Sequence, residues 1–162
     1  MRPEVPYEKC CGLIPLNAQD VPEVDTTVSK ERLMDLLSKQ IEIPEGFDSY
    51  PKLKRLHKQR REMAEGRKPL DWGSAESAAF ASLVTEGIGV RVSGQDSGRG
   101  TFAHRHAIWH DVSTGDTYTP LQHLEEGQAR CHLWNSPLSE SAVLAFEFGY
   151  SVEMPEDLVI WE

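Results

Sequence analysis

A chain of 162 residues, 39% hydrophobic and 27% charged, has the composition of one globular domain with a core to bury, which excludes disordered and fibrous classes. Its formal net charge of −9 argues against general nucleic-acid binding, and no apolar run approaches the roughly 18 residues that span a bilayer. The opening MRPEVPYEKCCG lacks the uninterrupted apolar core of a secretory signal, so a cytoplasmic protein away from membranes is expected.

Residues 1–24 hold four of the ten prolines and little periodicity, and read as a poorly ordered lead-in. A helical linker segment is expected over 25–68. Its first helix runs from Thr26 to Gln40 with Ser29 as N-cap and Leu33, Leu36 and Leu37 as its stripe. IPEGF at 43–47 reads as a turn, and helix resumes from Tyr50 to Ala64, stopped by Gly66. Residues 51–68 carry eight of the 17 Lys and Arg and only two acids. That basic helix is a solvated face or a surface that steers phosphates, RNA or an acidic partner and could dock on one, with Leu53, Leu56 and Met63 as its buried stripe.

After Pro69 the character changes. Asp71 to Ser74 is a capping segment, Ala75 to Glu86 a helix burying Phe80, Leu83 and Val84, and Gly87 its left-handed terminator. Ile88 to Val92 reads as a buried strand, and the polar loop SGQDSGRGTFAHRHA begins at Ser93. Ala107 to Val112 is a further candidate strand, turned at Ser113 to Asp116, and Tyr118 to Leu124 reads as irregular. Cys131 to Trp134 is a second strand, Ser139 caps a helix to Val152, and Leu158 to Trp161 is a third strand. Helix, strand, loop, strand, helix, strand is the order of an α/β unit with a parallel sheet. Such strands want helices on both faces, so a partial domain is expected over 69–162.

The candidate chemistry is mixed. The three cysteines, Cys10, Cys11 and Cys131, form neither a disulfide framework nor a zinc pattern. His104, His106 and His110 would share one face of an extended strand and could meet a metal, although no carboxylate falls in register. Gly94, Gly98 and Gly100 match neither the dinucleotide fingerprint nor the P-loop, leaving a generic anion cradle. Glu140 stands in the first turn of its helix, where an acid suits the dipole in any case; Glu147 is a rival carboxylate two turns on. The four tryptophans are expected in the core.

DWGSAE, SGQDSGRGTFAHRH and NSPLSESAVLAFEFGY, in this order, resemble the 2-oxoglutarate dehydrogenase family, specifically its thiamine-diphosphate-dependent decarboxylating first component. The likeness runs from about Val21 to Glu162. It implies an incomplete pyrimidine-binding domain of transketolase-like α/β fold, preceded by a helical N-terminal segment. It implies that Glu140 bonds the first nitrogen of the cofactor's aminopyrimidine and favours the tautomer whose neighbouring nitrogen takes the thiazolium proton. Leu138 would lie against that ring, and Gln95 would reach the cofactor region.

The family's domain for the diphosphate and Mg²⁺, its substrate histidines and a later GDF-containing run have no counterpart here. The resemblance therefore implies a fragment, inactive alone. Its partners would be the rest of the parent or a second subunit, and a lipoyl-bearing succinyltransferase.

Overall fold

The computed structural model describes residues 25–162, and the expected lead-in and the Cys10–Cys11 pair lie outside them. Helix α1 spans Lys30–Lys39, where the Ser29 hydroxyl accepts from the Arg32 N–H at 3.2 Å. Helix α2, Pro51–Ala64, opens with proline at its first position, which needs no N–H there. Its buried stripe differs from the apolar one expected: Leu53, His57, Arg60 and Ala64 face inward, while Leu56 and Met63 flank them half-buried. Apolar spacing alone could not show this, because two of the four inward residues are polar.

Helix α3, Trp72–Thr85, is capped by the Asp71 carboxylate, which accepts from the Ser74 N–H at 2.7 Å. It ends in a Schellman motif. Gly87, at φ +89°, donates to Val84, and Ile88 donates to the Leu83 carbonyl at 2.9 Å. Ile88 thus belongs to the helix exit, and strand β1 begins two residues later than expected, at Val90–Gly94.

The expected strand 107–112 shrinks to β2, Trp109–His110, paired antiparallel with β3, Thr117–Tyr118. Asp111 closes the hairpin early, its carboxylate accepting the N–H groups of Ser113, Thr114 and Asp48. A 3-10 turn follows at Pro120–Gln122, then strand β4, Cys131–Asn135, helix α4, Glu140–Glu153, and strand β5, Leu158–Trp161.

The main sheet has the order β4-β1-β5 with both pairings parallel. Its central strand and α3 share the core, built on Phe80, Val84, Val90, Val92, Leu121 and Leu133. Leu36 of α1 is fully buried in that same cluster, while Leu37 joins Ala64 and Ala78 in a smaller one. The helical segment before Pro69 is therefore packed on the sheet unit through α1. Arg32 and Lys39 reinforce this by holding Glu125, with Arg32 bidentate at 2.6 and 3.0 Å and Lys39 at 2.9 Å. Hydrogen bonds from both keep the Glu125 carboxyl down at about 2.

Of the tryptophans only Trp109, 1% exposed, is core, which corrects the expectation for the other three. Trp72 opens α3 at 91% exposure, and Trp134 and Trp161 stand at or next to the C-terminal ends of their strands, where the sheet gives way to open clefts.

Trp109 packs against His57, ring centroids 4.2 Å apart, and neither imidazole nitrogen has a hydrogen-bond partner. Burial, with Arg60 and Arg61 nearby, pushes the His57 pKa from 6.5 to about 4. Between those values the unfolded chain carries a proton that the fold refuses, so stability falls as pH drops through that window. His57→Phe keeps the aromatic contact and removes the proton site. Its melting temperature between pH 7 and 4 is expected to flatten, removing a slope of up to about 1.4 kcal/mol per pH unit. An unchanged acid slope would assign the loss to other groups.

Candidate functional site

Parallel strands leave an opening at their C-terminal ends, where loops diverge to opposite sides. Here β1 delivers Gly94 and Gln95, β5 delivers Trp161 and Glu162, and α4 begins with Glu140. They enclose a cleft of about 200 Å³, completed by Thr101, Leu138 and Val143. All three residues singled out from sequence line it together. The Gln95 side-chain amide donates to the Glu140 carboxylate at 3.2 Å, and Leu138 stands beside them 49% exposed. Ser139 occupies the N-cap of α4, but its hydroxyl makes no capping bond and lies 3.5 Å from the Ser141 hydroxyl.

Gly94 is required by this crossing. At φ +155° it passes so close to the end of β5 that a Cβ would run into the Glu162 carbonyl. The two segments are pinned there by the Glu162 N–H donating to Ser93 at 3.0 Å.

Beyond Gln95 the loop is compact and strained. Asp96, Ala103 and His106 adopt left-handed φ of 60°, 53° and 43°, each costing about 1–3 kcal/mol unless the surroundings over-determine it. The surroundings do. Arg99 carbonyl oxygen accepts from both Arg105 and His106 N–H at 3.0 Å, and Gly98 N–H is held by Asn135 at 2.8 Å.

Two buried arginines complete the frame. Arg60 of α2 donates to the carbonyls of His104 and Arg105 at 3.2 and 2.5 Å. Arg105, with its side chain 3% exposed, meets Glu76 of α3 at 2.8 and 2.7 Å, the Ser97 carbonyl at 2.7 Å, and the Glu162 carboxylate. Burial opposes its charge, but the hydrogen bonds with Glu76 and Glu162 prevail and raise its pKa above the ordinary arginine value.

Neither arginine was marked by the sequence, which drew attention to the flanking histidines. Trp161 and Glu162 were also missed as cleft residues, although ends of parallel strands are where such residues gather.

The histidine reading is overturned. The left-handed turns at Ala103 and His106 prevent an extended strand, so even spacing places no common face. His104 lies 3.7 Å from Glu76, whereas His106 and His110 border a separate cleft with His132. Among the described residues no three His, Cys, Asp or Glu side chains gather as a metal site. Glu147 is not a rival either. It is buried, and Arg91 donates to it at 2.6 and 2.9 Å while stacking over Phe146 and Tyr150. Cys131 is fully buried, and burial pushes its thiol up to about 12. No helix among the described residues is long and apolar enough to cross a membrane.

A parallel α/β unit with its cleft at the strand ends and an acid opening the following helix defines a class of ligand-binding domain. The chain belongs to the transketolase pyrimidine-binding domain family, whose family model matches residues 68–162. It is 44% identical over 147 residues to the 2-oxoglutarate dehydrogenase E1 component of Haemophilus influenzae, covering 91% of this chain and 16% of that one. The component of the same name from Bacillus mycoides is 46% identical over 145 residues, covering 90% and 15%. That from Geobacillus kaustophilus is 44% identical over 142 residues, covering 88% and 15%. The chain thus spans 15–16% of the length of these curated relatives.

Proposed function

We propose that this chain supplies the pyrimidine-side wall of a thiamine diphosphate site in a 2-oxoglutarate dehydrogenase decarboxylating component. The observation that carries the reading is the meeting of Gln95, Leu138 and Glu140 in one cleft. The residues suit the aminopyrimidine end of that cofactor. Glu140 offers an accessible carboxylate to a ring nitrogen, Gln95 an amide, and Leu138 an exposed apolar surface.

Bound thiamine diphosphate supplies the carbon nucleophile for decarboxylation of a 2-oxo acid. This chain's part is to hold and polarise the pyrimidine: the Glu140 carboxylate would accept a hydrogen bond from the protonated ring nitrogen, and Gln95 would fix the direction of that carboxylate. Leu138 and Trp161 offer exposed apolar surface on which a ring could rest beside it. The diphosphate and Mg²⁺ would be held by a further domain of the parent. The parent would take 2-oxoglutarate and pass a succinyl group to a lipoyl carrier on its succinyltransferase partner.

The test uses the purified 162-residue chain. It is expected to show no 2-oxoglutarate-dependent dye reduction with thiamine diphosphate and Mg²⁺, since one wall is a half-site. Titration with the free aminopyrimidine alcohol of thiamine should shift the Gln95 and Leu138 NMR signals, and Glu140→Ala should abolish the shift. Turnover by the chain alone, or equal binding by Glu140→Ala, would overturn the reading.

A further inference from the structure

We propose that Arg105 is a positioning residue for the cleft: by gripping Glu76, the Ser97 carbonyl and Glu162 at once, it sets the separation between the Gln95 wall and the β5 wall. This rests on the cleft receiving an aminopyrimidine.

The geometry is unusual in its reach. One guanidinium joins three elements that are far apart in the chain. Its Nε and Nη2 meet both oxygens of Glu76 on α3, and its Nη1 meets Ser97 in the loop and the Glu162 carboxylate just beyond β5. Two of those elements carry opposite sides of the cleft. Gln95 lies two residues before Ser97, and Glu162 itself lines the opening with Trp161.

The loop that follows Gln95 places three non-glycine residues at left-handed φ, so contacts that over-determine its shape matter. A planar fork of five donors fits such a junction, whereas a lysine ammonium on a flexible stem cannot present parallel bonds to one carboxylate while reaching two other acceptors. Arg105 is buried, so it does not touch the ligand; it acts through Gln95 and Glu162. With the separation lost, Gln95 would no longer direct the Glu140 carboxylate at its 3.2 Å contact.

The experiment compares the wild-type chain with Arg105→Lys and Glu76→Gln, using the free aminopyrimidine alcohol of thiamine as probe. NMR of the Gln95 side-chain amide and the Trp161 indole reports wall position without any ligand. Both signals are expected to move in Arg105→Lys well below its melting temperature, and probe affinity to fall about tenfold as the Gln95–Glu140 contact is displaced.

Glu76→Gln keeps the Ser97 and Glu162 contacts and should give a smaller displacement, which serves if Arg105→Lys does not fold. Unmoved signals with unchanged affinity in the folded variants would overturn the proposal. A wild-type chain that ignores the probe, while its variants still shift Gln95, would instead sink the aminopyrimidine reading.

Discussion

Glu140→Gln is expected to lower turnover of the intact parent enzyme by on the order of 10²-fold or more, the range ascribed to a positioned acid–base group. Its effect on stability should be slight. Glu140 is exposed and bonded only to the Gln95 amide, so folding loses little beyond its interaction with the helix N-terminus, about 0.3–1 kcal/mol. The substitution preserves shape and the contact with Gln95 but removes the charge that, in the proposed site, would stabilise a proton on the ring nitrogen. Steady-state turnover and calorimetry on the same preparation check both halves. Turnover close to wild type would remove Glu140 from the chemistry.

The second carboxylate of the same helix should behave in the opposite way. Glu147→Leu leaves Arg91 buried without its partner, and breaking such a pair costs about 3–5 kcal/mol. The lower end applies, since the Arg91 side chain retains 14% exposure and keeps its stacking on Phe146 and Tyr150. The double substitution Arg91→Met with Glu147→Leu should recover most of the loss, because apolar groups of similar volume replace a buried ion pair at little cost. Denaturant melts of the single and double variants measure this directly. A Glu147→Leu chain as stable as wild type would mean that the pair contributes nothing net.

These two acids show what the sequence could and could not tell. Both lie on α4 seven residues apart, on one face by helical count, and nothing in their spacing separates them. What separates them is the sheet beneath: Arg91 on β1 reaches Glu147, while Glu140 lies past the end of the strands. The main strands were legible because Val90, Val92, Leu133 and Ile160 are apolar runs bounded by turn residues. In the hairpin at 109–118 the turn was legible but the short length of its strands was not, since the Asp111 carboxylate ends β2 by accepting from Ser113, Thr114 and the distant Asp48. The histidine face failed for a related reason: the loop turns through left-handed φ at non-glycine residues, Ala103 and His106 among them, which residue type alone does not announce. Buried His57 and Arg60 were hidden because the inward stripe of that helix was read from its apolar residues alone, Leu53, Leu56 and Met63.

The strand order carries a consequence for how the chain is made. β1 lies at the centre of the sheet, yet both of its partners, β4 and β5, come later in the chain. On a ribosome its valine-rich edges would emerge first and wait unpaired while two crossovers are synthesised. Pairings so remote in sequence form slowly, and a waiting edge is open to other copies. A holding chaperone that covers this edge should therefore raise the soluble yield more than any change at the cleft.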